Sequence, residues 1–250
     1  MKFALLSDIH ANRHALDACL AHAHARQVDR LAFLGDLVGY GAHPAEVLSR
    51  IESLVQAGAL CLQGNHDALA VQPPAEVQTL GDSTAQWTHA QLSVAQKDFL
   101  AALPYTAQYD TMLLVHASAD APTLWRYVTD ERLATLSLDA ASRLPQVRHV
   151  FGGHVHLQTL YYRGTDGALM KFSPQPDVAI PVPTHRHWLA TLGSVGQPRD
   201  GNPKAMYAIF DSARMQLTFH RVDYDHLAAA QAIRDAGLPE HFANRLELGR

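Results

Sequence analysis

The stretch Ser7-Asp8-Ile9-His10-Ala11-Asn12 decides how the rest of the chain reads. It follows a short apolar run, Phe3-Ala4-Leu5-Leu6, that reads as a buried strand. An aspartate and a histidine two residues apart at a strand end are expected to point the same way off the pleat. Three further segments share the layout of an apolar run that stops at Asp, Asn or His. They are residues 31–34 before Gly35-Asp36, residues 60–63 before Gly64-Asn65-His66-Asp67, and residues 112–115 before His116. A fifth, residues 147–151, stops at Gly152-Gly153-His154-Val155-His156. These five strand ends are expected to converge on one site that holds two metal ions.

The segments between them supply the scaffold. Leu16, Cys19, Leu20 and Ala23 recur at helical spacing after Asn12. Val47, Leu48, Ile51, Leu54 and Val55 do so after Pro44, which suits a first helical turn, and Gly58 is placed to stop that helix. Strand, helix, strand, helix, strand is a parallel βαβαβ start, and ligands of open α/β sheets bind outside the carboxyl ends of the strands. Residues 83–92 and 93–103 read as helices, the second opened by a capping box of Ser93 and Gln96. They form a helical insertion, 68–103, expected to cap one side of the site. Residues 104–109 and 111–115 read as strands around Asp110, and Thr129 or Asp130 caps a helix through Leu136. From Gln158 short strands follow at 158–163, 168–173, 187–191, 204–211 and 215–222, the first two flanking a hairpin loop, Gly164-Thr165-Asp166-Gly167. They are expected to form an antiparallel second sheet, and the tail from Asp225 a helix. The reading is one α/β (α+β) domain over residues 1–250: a four-layer αββα sandwich of two mixed sheets flanked by helices.

A net charge of −4 argues against a stable nucleic-acid partner, which calls for a basic surface. Cys19 and Cys61 each sit in an apolar pattern with no CxxC pair, so they read as small buried thiols. No run approaches the roughly 20 apolar residues of a membrane span. The apolar stretch before Ser7 is too short for a signal peptide, and the cytoplasm is the expected location.

Asp8, His10, Asp36, Asn65, His116, His154 and His156 make two carboxylates, one amide and four imidazoles. A mixed nitrogen and oxygen set of this kind suits Mn²⁺, Fe, Zn²⁺ or Ni²⁺, and is too imidazole-rich for Ca²⁺ or for Mg²⁺ alone. Seven such side chains exceed what one ion accepts, whereas two ions sharing a carboxylate use all of them. Asn12 and Arg13, at the start of the first helix, and Arg199, in the glycine-bounded loop 196–201, are candidates for contacting an anion. Tyr40 and Trp125-Arg126-Tyr127 are candidates for stacking on a base or leaving group.

The ordered series Asp8-x-His10, Gly35-Asp36, Gly64-Asn65-His66-Asp67, His116 and Gly153-His154-Val155-His156 resembles the calcineurin-like metallophosphoesterase superfamily, in its compact prokaryotic phosphodiesterase-like branch. Gly193-Ser194-Val195-Gly196 is similar to that family's closing segment. The resemblance implies one ion on Asp8, His10 and His156, a second on Asn65, His116 and His154, and Asp36 as the bridge. It implies two divalent ions, Mn²⁺ first with Fe, Zn, Ni or Mg as alternatives, and a hydroxide shared between them as nucleophile. His66 would be the general acid, with Asp67 orienting its ring or raising its pKa. One departure bears on the substrate. The protein serine/threonine phosphatase branch reads Gly-Asp-x-x-Asp-Arg-Gly where this chain has Gly35-Asp36-Leu37-Val38-Gly39-Tyr40-Gly41. Gly39 replaces the aspartate that pairs with the catalytic histidine, and Tyr40 replaces the substrate arginine. The expected function is hydrolysis of small phosphoesters, nucleotides included, with diesters favoured. The alternatives are a protein serine/threonine or dinucleoside polyphosphate phosphatase and, from another class, an inactive metal-binding scaffold. A homo-oligomer is compatible with the sequence.

Overall fold

Alternation along the first strand sets the layering. In β1 (Lys2–Leu6), Phe3 and Leu5 face the core between two sheets, while Ala4 and Leu6 face a core shared with helices. The computed structural model describes residues 1–164 and 167–250. Thr165 and Asp166, in the expected 164–167 hairpin loop, lie outside the described residues.

Helix α1 (Arg13–Ala25) leads to β2 (Arg30–Phe33), and α2 (Pro44–Gln56) leads to β3 (Leu60–Cys61). β1, β2 and β3 run parallel, as their spacing predicts. Leu16 and Cys19 of α1, with Val47, Leu48 and Ile51 of α2, bury their apolar stripe on this sheet's outer face. The segment after β3 is helical at once. α3 (Asn65–Val71) begins inside the strand-end segment Gly64-Asn65-His66-Asp67 itself and has no counterpart in the sequence reading, because its few apolar positions carry no readable helical period. α4 (Leu80–Gln91) and α5 (Val94–Ala102) follow, and the Ser93–Gln96 capping box forms. Leu92, Leu100 and Leu103 join the core under α2, and Gln96 Nε2 donates to the Ala45 carbonyl at 2.9 Å. Residues 80–102 therefore belong to the outer helical layer.

β4 (Thr106–Tyr109), β5 (Met112–Val115) and β6 (His149–Gly152) open the second sheet, with α6 (Glu131–Ala141), N-capped by Asp130, between the last two. The next strands are β7 (Gln158–Arg163), β8 (Leu169–Phe172), β9 (Ala179–Pro181), β10 (Trp188–Leu192), β11 (Ala205–Asp211) and β12 (Gln216–Val222). They do not make a sheet of their own, which corrects the sequence reading. Both six-stranded sheets mix strands from the two halves of the chain, in the orders β3-β2-β1-β11-β12-β9 and β4-β5-β6-β10-β7-β8. β11 pairs antiparallel with the free edge of β1, Phe3 opposite Phe210, and β10 pairs parallel with β6. A period of two marks a strand but names no partner. Phe151, Leu160, Phe210 and Phe219 fill the space between the sheets, and Ala134, Leu138 and Ala141 of α6 cover the second sheet's outer face. The layers are helix, sheet, sheet, helix, as expected.

The tail is two helices, α7 (His226–Asp235) and α8 (Glu240–Leu248). Gly237, at φ 70°, and Pro239 separate them. No helix among the described residues is long and apolar enough to cross a membrane.

Candidate metal centre

The expected convergence occurs, by a different route from the one read off the pleat. β1 ends at Leu6, and Asp8 and His10 adopt φ of 55° and 49°. Asp36, His154 and His156 adopt 52°, 67° and 59°. Five of the seven candidate ligands thus sit in left-handed backbone, which costs a non-glycine residue on the order of 1 kcal/mol each. Left-handed turns, not strand alternation, aim Asp8 and His10 at a common point. The surrounding backbone holds these turns in place. The N–H groups of Asp8, His10 and Ala11 donate to the carbonyls of Gly35, Asp36 and Leu37, each at 3.0 Å. From the C-terminal half, Gly196 N–H and Ser194 Oγ both donate to the Asp8 carbonyl, at 2.9 and 2.8 Å. His154 N–H donates to Asp8 Oδ2 at 2.8 Å. Gly153 makes this approach possible, since a Cβ there would lie 1.9 Å from Ser7 Oγ and 2.2 Å from Asp8 Oδ2.

Two clusters of buried donors result, Asp8 with His10 and His156, and Asp36 with His116 and His154. In the first, His156 Nε2 lies 3.2 Å from Asp8 Oδ1 and 3.1 Å from His10 Nε2. In the second, His116 Nε2 lies 3.3 Å from Asp36 Oδ2 and 3.2 Å from Asn65 Oδ1. Asp36 Oδ2 is also 3.8 Å from His10 Nε2, so this carboxylate stands between the clusters.

The second layer of contacts fixes the tautomers. His10, His116 and His156 each donate Nδ1–H to a backbone carbonyl: Val38 at 3.3 Å, Leu34 at 2.7 Å and Gln197 at 2.6 Å. In the neutral ring every Nε2 then carries a lone pair. His10 and His156 present those lone pairs to each other, whereas His116 turns its Nε2 to two oxygens that favour a proton there. Asp8 Oδ1 and His154 Nε2 are buried without a hydrogen-bond partner among the described residues. Facing lone pairs and orphaned acceptors call for positive charge in the middle, so the donor set fits two cations.

The charge states agree. Burial opposes ionisation of Asp8 and Asp36, but the facing histidines override it and hold both carboxyls below the usual range. Burial and the neighbouring His156 push His10 well down, and burial with His116 brings His154 to about 4. His116 goes the other way. Burial disfavours its charged form, yet Asp36 and Asp8 raise it to about 9, a proton taking the place that a cation would fill.

Other residues singled out from the sequence divide. His66 lies at the rim, its ring centroid 5.2 Å from that of His10 and 4.3 Å from that of Tyr40. Its N–H donates to Asp36 Oδ1 at 2.8 Å. Its ring packs flush against Gly39, where a Cβ would come within 2.9 Å of Nδ1, and among the described residues no carboxylate forms an ion pair with it. Burial lowers its pKa. Asp67 neither orients nor charges that ring, which corrects the expectation. Its Oδ1 accepts from Leu37 N–H at 2.8 Å and Val38 N–H at 3.2 Å, and its Oδ2 from Gly64 N–H at 2.8 Å. Asp67 is a staple between two ligand-bearing loops. Asn12 is also committed to the fold. It caps α1 through Ala15 N–H and donates to the Gly196 carbonyl and the Tyr224 hydroxyl, leaving nothing for a phosphate. Arg13 is exposed, with no hydrogen bond into the site. Of the aromatic run, Tyr127 comes to the site, its ring centroid 3.9 Å from that of His154.

Arg199 does reach the site, with company. Its Nη2 donates to Gln197 Oε1 at 2.8 Å, and Arg245 of α8 donates to the same oxygen at 3.2 Å. Gln197 and Arg245 escape sequence reasoning. Gln197 sits in a glycine-bounded loop that draws attention only to its arginine, and Arg245 reads as one more charge on a terminal helix.

Residues 1–215 match the calcineurin-like phosphoesterase superfamily domain. The chain is 31% identical to an uncharacterised protein of Methanocaldococcus jannaschii over 253 aligned residues, covering 99% of this chain and 98% of that protein. The crystal structure of a metallophosphoesterase from Sphaerobacter thermophilus superposes with a TM-score of 0.87 at 32% identity, over 100% of this chain and 99% of that one. A hypothetical protein from Pyrococcus horikoshii OT3 shares the fold, with a TM-score of 0.79 at 19% identity over 100% and 98% of the two chains.

Proposed function

The chain belongs to the calcineurin-like phosphoesterase superfamily, and on that footing we propose that it hydrolyses small phosphate esters, diesters in preference to monoesters, with two divalent ions, Mn²⁺ first among them. Asp8, His10 and His156 would hold one ion, Asn65, His116 and His154 the other, with Asp36 shared. The observation that carries this reading is the pair of Nε2 lone pairs on His10 and His156, 3.1 Å apart and locked in place by two backbone carbonyls. When bound, such ions supply the positive charge that acidifies water and offsets the charge of the phosphoryl oxygens.

The chain's own residues do the rest. The Val38, Leu34 and Gln197 carbonyls each hold an Nδ1–H and so turn Nε2 of three imidazoles toward the donor cluster, with His116 giving up the Nε2 proton that Asp36 and Asp8 favour. Asp67 fixes the loop that carries Gly39 and Tyr40 against His66. His66 would give a proton to the departing oxygen. Its burial keeps the ring neutral in the free site, and an anionic phosphoryl group beside it favours the imidazolium. Arg199 stands at the rim as a substrate contact.

The test uses protein stripped with a chelator and bis(4-nitrophenyl) phosphate. Turnover should appear on adding Mn²⁺ and be absent from Asp36→Asn. No metal-dependent turnover, or full activity in that variant, would overturn the reading. Chelation should also lower the melting temperature, since ions that bind only the folded chain stabilise it.

A further inference from the structure

Gln197 joins two systems. Its main-chain carbonyl accepts the Nδ1–H of His156 at 2.6 Å, and its side-chain oxygen accepts from Arg199 and Arg245 at 2.8 and 3.2 Å. Gln197 itself is 1% exposed. Two guanidinium groups, half-buried, therefore meet on one neutral amide oxygen a single residue away from the candidate ligand shell. Neither forms an ion pair with a carboxylate among the described residues. The nearby acids are taken elsewhere, Asp200 by Arg221 and both Glu240 and Glu247 by Arg234. Two like charges on one neutral acceptor repel, and half-burial makes the repulsion worse. That oxygen and the Tyr40 hydroxyl, which Arg199 also contacts, leave most of their N–H donors free. Burial and Arg199 together lower the Arg245 pKa, as such crowding requires. Tyr40 and Tyr127 flank the pair on the side of the metal centre. Tyr40's ring is 4.7 Å from that of His10, and Tyr127's is 3.9 Å from that of His154.

We propose that Arg199 and Arg245, held together by Gln197, form an anion subsite for a phosphoryl group of the substrate other than the one hydrolysed. The proposal rests on the hydrolase reading above and narrows it to substrates that carry at least two phosphates. The pair supplies what a second phosphate needs: two fixed forks of N–H donors, uncompensated charge and partial exclusion of water. Tyr40 packs on His10 and His66 and also contacts Arg199, so its ring links the ligand shell to the arginine pair. The fork arrangement also fits phosphate better than a lone carboxylate, which one guanidinium would satisfy.

The first test is calorimetric titration of inorganic pyrophosphate, and separately of orthophosphate, into chelator-treated protein. Pyrophosphate should bind more tightly than orthophosphate, and Arg245→Gln and Arg199→Gln should each weaken it by about tenfold or more. Arg245→Lys keeps the charge without the fork and should fall between. Unchanged pyrophosphate affinity in all three variants, with melting temperatures near the parent's, would overturn the proposal. Should Arg245→Gln fail to fold, Arg245→Lys and Arg199→Gln decide. The second test compares kcat/KM for a dinucleoside diphosphate with that for bis(4-nitrophenyl) phosphate in the Mn²⁺-loaded protein. Their ratio should drop by about tenfold in Arg245→Gln, and a constant ratio would count against the subsite. Arginine-dependent pyrophosphate binding without any turnover would sink the hydrolase reading and leave the anion subsite standing. Turnover indifferent to both arginines would do the reverse.

Discussion

Replacing Asp36 by asparagine removes one charge and little else. Asparagine tolerates the φ of 52° at this position, and its Oδ1 can still accept the His66 N–H now held at 2.8 Å. What disappears is the anion 3.3 Å from His116 Nε2. In the ion-free protein burial works against charge on His116, but Asp36 leads the groups that raise it from 6.5 to about 9. A pKa raised on folding means the folded chain binds that proton more tightly than the unfolded one. The associated stability is fully present below pH 6.5 and is lost as pH rises through 9. At about 1.4 kcal/mol per pH unit, this gap is worth roughly 3 kcal/mol, counted once for the pair. Urea denaturation of chelator-treated protein from pH 6 to pH 9.5 measures it. The parent protein should lose roughly 3 kcal/mol across that range. Asp36→Asn should start lower at pH 6 and show little of the decline. Asp36 also raises Asp67, to about 7, so the two slopes are compared between pH 7.5 and 9.5, where Asp67 is ionised in both. Equal slopes in the two would refute the account of His116 as a proton-loaded cation position.

Further outcomes follow from particular positions. Gly153→Ala drives a methyl into Asp8 Oδ2 and should cost about 2–4 kcal/mol in denaturation and abolish metal-dependent turnover. Gly58→Ala, at φ 103° with nothing within 4 Å of the added carbon, isolates the backbone share at about 1 kcal/mol. Asp67→Asn turns an amide N–H₂ toward backbone donors and should destabilise by about 1–3 kcal/mol, while the pH profile of kcat/KM keeps its shape because Asp67 does not touch the His66 ring. His66→Ala should slow an alkyl aryl phosphodiester that expels its alkoxide by about 100-fold or more, and slow expulsion of 4-nitrophenolate far less, since a good leaving group needs no proton. In the free enzyme burial lowers the His66 pKa, so kcat/KM for the poor leaving group should fall as pH rises through a value below 6.5.

The candidate site was legible because its members sit where apolar runs stop, and such stops are visible in one dimension. Asp8, His10, Asp36, Asn65, His116, His154 and His156 all come within one small volume. What the sequence conceals is how they get there. The pleat argument for Asp8 and His10 gives the right outcome by the wrong route, because a left-handed turn leaves no mark on residue type when its neighbours hold it. Sheet membership fails for a related reason: β10 and β11 read as strands, but their partners depend on which edges β6 and β1 leave open. Asp67 was misread because adjacency to His66 in sequence suggests contact, whereas on the first turn of α3 the two side chains diverge, one to the site and one to backbone N–H groups. Asn12 shows the same limit, since a residue at a helix N-terminus can be spent entirely on capping. Arg245 is beyond any local signal, reaching Gln197 across 48 positions.

The interleaving of the sheets has a consequence for synthesis. Every candidate ligand has been translated by residue 156, well before the strands that complete both sheets. At that stage β1 and β6 each expose an unpaired edge, and the Nδ1–H of His156 has yet to meet the Gln197 carbonyl. A nascent chain therefore carries the complete set of metal-binding groups before it has the walls that orient them. Truncation anywhere between β6 and β10 should yield not a weakened enzyme but an aggregating, metal-scavenging fragment with two open strand edges. The insertion of β11 beside β1 is then the event that turns a collection of ligands into a site.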